Sequence, residues 1–338
     1  MYVVRETLDD LLGVVYRRLL RSRNRLSPTK GPNREETGVL LKLANPRNRF
    51  SRTEERATLL SCLGETLWYL SGSDTLDFVE YYIPKYREFS KIPQEATSTT
   101  GAYGPRLFAG KPNQIKRIID MLNDPDKRST RQAVVQIFDQ ADLGEKDVPC
   151  TCTVQFFARG DYLHCQVSMR SNDAYRGLPH DVFAFTVLQE LVARSTDLEI
   201  GTYSHSVGSL HLYDREEARA KKYIAAGWQD TIGMPPMPKG DPWSSVRWLL
   251  NMERQIREGA TVLGRTDGID PYWIDLARLL LVKRLFDQKD HRGVVKQKNL
   301  MSSTVYDAFI RGREAELPQA FIPQPDIPGL VVGKEKQS

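Results

Sequence analysis

Apolar residues recur at helical spacing along much of the chain. Between Glu6 and Leu20, the residues Leu8, Leu11, Leu12, Val15 and Leu19 share one face, which predicts a helix. Thr53 to Leu70 predicts a second, with Leu59, Cys62, Leu63, Thr66, Leu67 and Leu70 as its buried stripe, and Gln114 to Leu122 a third. Arg21 to Arg49, between the first two, is polar and rich in cations, and reads as a mobile loop around a short strand, Val39–Leu43. The period then shortens. Arg131–Phe138, Cys152–Ala158 and Tyr162–Met169 are β-prone runs, the last two joined by a hairpin turn, Arg159-Gly160-Asp161. A long apolar helix over Val182–Arg194 follows Pro179, then a strand-like piece, Thr202–Gly208, and a helix from Tyr213 to Ala226. Beyond Pro238 the pattern is helical only. Asp241-Pro242-Trp243 and Asp270-Pro271-Tyr272 each set an N-cap before a Pro at the first helical position. Their helices are expected to run to Gly259 and Phe286, ahead of a Pro-rich tail. The pattern predicts an α+β unit over 1–235 and a helical extension with tail over 236–338, packed on the same unit.

Charge and cysteine content narrow the class. Lys plus Arg number 48 against 43 for Asp plus Glu, a net +5. That excess is too diffuse for a nucleic-acid binder and suits an anionic small substrate. The opening residues lack a signal-peptide core, and no apolar run approaches the ~20 residues of a membrane span. Four cysteines in 338 residues do not make a disulfide framework, so the expectation is a cytoplasmic chain with reduced thiols. Cys150 and Cys152, one residue apart, give poor zinc geometry, and no second Cys/His pair sits at ligand spacing. No metal is expected. Cys150, at a loop–strand junction, is either a nucleophile or a small buried residue.

An ordered series of short motifs supplies the context. Pro149-Cys150 is followed by Arg170-Ser171-Asn172-Asp173, then Gly177-Leu178-Pro179-His180-Asp181, then Gly208-Ser209-Leu210-His211-Leu212-Tyr213. Upstream stand Glu65-Thr66-Leu67-Trp68-Tyr69-Leu70 and Gly101-Ala102-Tyr103-Gly104, and between them and Cys150 lies Asp124-Pro125 through Thr130-Arg131. Each motif alone is weak. Six in this order resemble the thymidylate synthase family over roughly residues 5–230.

The resemblance implies that family's α+β fold, a homodimer across a face of a mixed β-sheet, and a pyrimidine nucleoside monophosphate as substrate. It implies 5,10-methylenetetrahydrofolate as one-carbon donor. Cys150 would add to C6 of the base, making C5 nucleophilic, with Arg170 lowering its pKa. Glu65 would organise water and shuttle protons, and Tyr103 would serve proton removal at C5. Arg170 and Ser171, with Arg131 from the partner subunit, would hold the 5′-phosphate. Gln132 stands where the family usually has a second arginine, and Lys30 or Arg34 of the N-terminal loop are candidates for that charge. His211 and Tyr213 would bond the sugar 3′-hydroxyl, while Asp173, Gly177 and Trp68 would contact the folate. His164, His205 and His291 have no partner legible in the sequence.

Asp181 departs from the family pattern. Thymidylate synthases carry Asn there, whose amide accepts from uracil N3–H and donates to O4. An ionised carboxylate cannot donate, whereas cytosine offers a 4-amino donor and an acceptor at N3. Asp here resembles the deoxycytidylate or cytidylate hydroxymethylases, and implies C5 hydroxymethylation of a cytosine nucleotide, CMP or dCMP. The alternatives are a divergent uridylate-methylating synthase and an idle relative that binds nucleotide or RNA. Asp181 also suits a simple N-cap for the helix after it. Met169, Thr151 and Ser209 are further departures, and beyond Pro238 the family's closing tail is not recognisable.

Overall fold

The computed structural model describes residues 1–53, 58–315 and 317. Its elements run β1 (Tyr2–Arg5), α1 (Leu8–Arg21), β2 (Arg25–Leu26), β3 (Asn33–Leu43), α2 (Leu59–Leu70), α3 (Leu76–Tyr82), α4 (Tyr86–Ser90), α5 (Tyr103–Phe108) and α6 (Gln114–Asn123). Then come β4 (Val134–Gln136), β5 (Thr151–Arg159), β6 (Tyr162–Asp173), α7 (Gly177–Ser195), β7 (Glu199–Tyr213) and α8 (Glu217–Ala225). Helices α9 (Trp243–Arg257), α10 (Pro271–Asp287), α11 (His291–Asn299) and α12 (Asp307–Glu314) finish the described chain. The Pro-rich tail, and residues 54–57 of the helix expected from Thr53, lie outside the described residues.

The strands form one mixed sheet in the order β1-β3-β7-β6-β5-β4, with β2 paired to β3. The β6–β7 and β1–β3 pairs are parallel and the others antiparallel. Strand alternation puts Phe156, Cys165, Val167, Tyr203, His205 and Val207 inside, against α7, which is buried over most of its length. The opposite face of β5–β7 carries Phe157, Gln166, Ser168, Ser204 and Ser206, each half-buried.

Several elements differ from the sequence reading. The polar stretch expected to be a loop around a short strand, Val39–Leu43, contains the longer, 11-residue strand β3. Its charged residues are paired laterally: Arg34 with Glu217, Glu35 with Ser209 and Arg18 with Glu36. Helix α7 begins at Gly177, not Val182, so Asp181 lies one turn inside it and does not cap it. The N-cap position is Arg176, with no side-chain cap, and the turn ahead of it is held by Asp173, whose Oδ1 accepts from the N–H groups of Tyr175 (2.8 Å) and Arg176 (3.0 Å). A capped start was read correctly at Asp270, which accepts from Tyr272 N–H ahead of Pro271. The C-terminal helices join the same hydrophobic core through Tyr272, Trp273, Leu276 and Leu280, and Tyr82 Oη donates to Glu253 across the junction (3.0 Å). No helix among the described residues is long and apolar enough to cross a membrane.

Candidate active site

Cys150 stands just ahead of β5, and its carbonyl accepts from Arg170 N–H on β6 (2.9 Å). The Arg170 side chain folds back over this loop. It donates to the carbonyls of Pro149 (2.9 Å) and Val148 (2.8 Å) and reaches the Cys150 sulfur at 3.8 Å. Burial nevertheless pushes the Cys150 thiol up; Arg170 and Lys30 pull it down without prevailing, and Asp181 and Asp147 add to the rise. This corrects the expectation of a thiol lowered by Arg170: the resting sulfur is protonated, and Arg170 fixes the loop that carries it.

Two acidic centres are linked here, Asp181 acting on this thiol and Glu65 acting on Asp181. Glu65, on α2, is buried; its Oε1 accepts from Tyr69 Oη (2.8 Å) and its Oε2 lies 2.5 Å from His180 Nδ1. The other His180 nitrogen faces Ser61 Oγ at 3.3 Å. Burial alone would lower the His180 pKa, but Cys62 and Glu65 outweigh it and raise it well above 6.5. At neutral pH the imidazole therefore keeps its proton beside the Glu65 carboxylate.

Asp181 is the second centre. Burial pushes its carboxyl up to about 7, Glu65 adds to the rise, and Asn172 and His180 oppose it. Its Oδ2 accepts from Asn172 Nδ2 (2.7 Å). Gly177 makes this approach possible, since a Cβ there would stand 2.9 Å from Asn172 Nδ2. Tyr103, at the start of α5, packs between Tyr69 (4.9 Å) and Phe185 (6.1 Å), and its oxygen accepts from the Thr151 amide (3.2 Å) and hydroxyl (3.1 Å). Burial, Asp181 and Cys150 raise its phenol well above 10, so it stays neutral.

The parallel β6–β7 register sets Ser171 beside Ser209 and Asp173 beside His211. His211 is buried and edge-on to Tyr213 (4.9 Å), and its pKa is lowered by burial against the pull of Asp173. Gly208 lets the strands close here, because a Cβ would meet the Arg170 carbonyl at 2.8 Å.

Two expected site residues, Trp68 and Arg34, stand elsewhere. Trp68 is fully buried, 5.8 Å from Tyr69 and 5.4 Å from Tyr86. It offers no surface to a folate, so packing replaces the contact expected of it. Arg34 is not free for phosphate: it donates to Glu217 (2.7 Å) and to the Ser22 carbonyl (3.0 Å). Lys30 is the loop cation whose field reaches Cys150 and His211. Arg131 is exposed at the sheet margin, its carbonyl accepting from Gln155. Sequence reasoning missed His180, Asn172, His205 and Tyr203. The available signals were a histidine beside Asp181 and polar residues at the inward positions of β6 and β7.

The family model described as thymidylate synthase matches residues 23–232. The deoxyuridylate hydroxymethyltransferase of Delftia phage PhiW-14 is 32% identical over 192 residues, which cover 52% of each chain. The chain thus spans about half the length of this curated relative.

Proposed function

The chain belongs to the thymidylate synthase family, and we propose that it hydroxymethylates C5 of a cytosine nucleoside 5′-monophosphate, CMP or dCMP. The observation that carries the base assignment is Asp181, a buried carboxyl that titrates near neutral pH where an amide would otherwise read uracil. When a thiolate adds to C6 of cytosine, N3 gains basicity and must take a proton. An acid poised near pH 7 can give that proton, and an amide cannot.

In this reading Cys150 is the nucleophile at C6. The nucleotide's approach must draw the proton from its raised thiol; Glu65, held by the His180 cation, is assigned to take it and to pass it to water. Arg170, Ser171 and Lys30 hold the phosphate, with Arg131 contributed by the partner subunit of a homodimer built on the exposed face of β5–β7. His211 and Tyr213 hold the sugar hydroxyl. Asp173 and Gly177 border the space for methylenetetrahydrofolate, which supplies a one-carbon unit when bound. Tyr103 is a neutral phenol, better suited to relay the C5 proton through water than to keep it. Glu65, backed by the His180 cation, is suited to activate the water that converts an exocyclic methylene into hydroxymethyl.

The second reading replaces cytosine by uracil. It is favoured by the phage relative, whose name specifies deoxyuridylate, and by the acid form of Asp181, which can donate to O4. The reaction type is tested by the fate of water and folate. Turnover in heavy-oxygen water should label the new hydroxyl and release tetrahydrofolate. Stoichiometric dihydrofolate with a methylated base would refute hydroxymethylation.

A further inference from the structure

Behind Asp181 runs a buried hydrogen-bonded chain that touches no expected substrate position. Asn172 Nδ2 donates to Asp181 Oδ2 (2.7 Å), Asn172 Oδ1 faces His205 Nε2 (3.3 Å), and His205 Nδ1 faces Tyr203 Oη (2.8 Å). Asn172, His205 and Tyr203 are all buried, on inward positions of β6 and β7. Four linked polar groups in a sheet core are costly unless every member is satisfied, and this chain is continuous.

A neutral carboxylic acid does not by itself choose between bases. It presents one donor and one acceptor. With cytosine, its carbonyl oxygen accepts from the 4-amino group while its hydroxyl donates to N3. With uracil, its carbonyl oxygen accepts from N3–H while its hydroxyl donates to O4. The two pairings differ only in which oxygen carries the proton.

We propose that the Asn172–His205–Tyr203 chain selects the base by fixing that proton on Asp181 Oδ1. Because Asn172 donates to Oδ2, that oxygen is the acceptor. The amide cannot turn over while its own Oδ1 accepts from His205 Nε2–H. Burial lowers the His205 pKa to about 3, so the ring is neutral and carries one proton. Tyr203 decides where. Its hydroxyl has no other hydrogen-bond partner among the described residues, so it must donate to Nδ1, which leaves the proton on Nε2. Run in the opposite direction, the chain would strand the Tyr203 hydroxyl in the core. Glu65 on α2, Tyr103 on α5, Cys150 before β5 and His180 also face Asp181, but none of them is bonded to either of its oxygens. Asn172, His205 and Tyr203 are thus positioning residues for base choice.

This inference rests on Asp181 as the base reader of the proposed function, but not on which base it prefers. The test is the ratio of kcat/KM for cytidylate against uridylate, in the same sugar series, for the wild type, Asn172→Ala and Tyr203→Phe. Both variants should move the ratio toward parity, whichever base the wild type favours. The shift should be about tenfold or more for Asn172→Ala, and smaller, in the same direction, for Tyr203→Phe, which removes one buried hydroxyl. Should Asn172→Ala fail to fold, Tyr203→Phe decides, since it deletes a single oxygen. Ratios within twofold of the wild type in the folded variants would overturn the inference. A wild type that prefers uridylate would refute the cytosine assignment alone, leaving the positioning role to stand or fall on the change in ratio.

Discussion

Replacing Asp181 by Asn removes a charge and a transferable proton while keeping shape, and the structure sets the size of both effects. A carboxyl that titrates near 7 in the folded chain, against its ordinary 3.8, is harder to ionise folded than unfolded. Folding is therefore most favoured below pH 3.8, where both states are protonated, and the advantage is lost as pH rises toward 7. At ~1.4 kcal/mol per pH unit, the loss is about 4 kcal/mol and is complete just above pH 7. Asn does not titrate, so Asp181→Asn should gain stability relative to the wild type across this window and run parallel to it above. Asn still accepts from Asn172, so little else should change. Urea unfolding at half-unit pH steps measures the difference directly. Catalysis gives the second readout. The amide can pair with cytosine but cannot protonate N3, so kcat for cytidylate should fall on the order of a hundredfold, the ordinary contribution of a general acid. Cytidylate KM should move far less. Two stability profiles that track each other from pH 4 to 8, with cytidylate turnover unchanged, would refute the placement of a shared proton on Asp181.

The other groups make separate predictions. Cys150→Ala should abolish turnover and exchange of the C5 hydrogen while nucleotide binding, read by calorimetry, persists; Cys152→Ala should stay active. His180→Leu strands the Glu65 carboxylate in the core, a loss of about 3–5 kcal/mol, and turnover should fall sharply in single-turnover assays. Because the His180 pKa is raised on folding, its contribution is full below about pH 6.5, so the stability gap to His180→Leu should narrow as pH climbs through the folded value. Lys30→Ala should raise the nucleotide KM several-fold with kcat nearly unchanged, and added salt should shrink the difference.

The sequence exposed the parts of this protein that depend on local order. Apolar period marked α1, α6, α9 and α10, and the motif series brought Cys150, Glu65, Tyr103, Arg170 and Asp181 into view as a group. It hid whatever depends on lateral pairing. The first half of β3, residues 33–38, looked like a loop because its polar residues are matched by Glu217, Ser209 and Arg18, none of them nearby in sequence. Helix α11, His-Arg-Gly-Val-Val-Lys-Gln-Lys-Asn, carries too few apolar residues for its period to show. Asp181 passed for a cap because Pro179 suggested a later helix start. The chain from Asn172 to Tyr203 joins residues about thirty positions apart, and only the parallel β6–β7 register makes them neighbours. Arg34 and Trp68 had the right residue type for their expected roles, but a carboxylate and a packed aromatic cluster had already claimed them.

Hydroxymethylation of cytosine by this family member can be read from its products. The most direct measurement incubates the protein with methylenetetrahydrofolate and an equimolar mixture of CMP, dCMP, UMP and dUMP, and identifies the products by mass. A hydroxymethylated cytosine nucleotide should be the dominant product, with the uracil nucleotides recovered unchanged. A hydroxymethylated or methylated uracil nucleotide as the dominant product, with both cytosine nucleotides intact, would contradict the cytosine assignment.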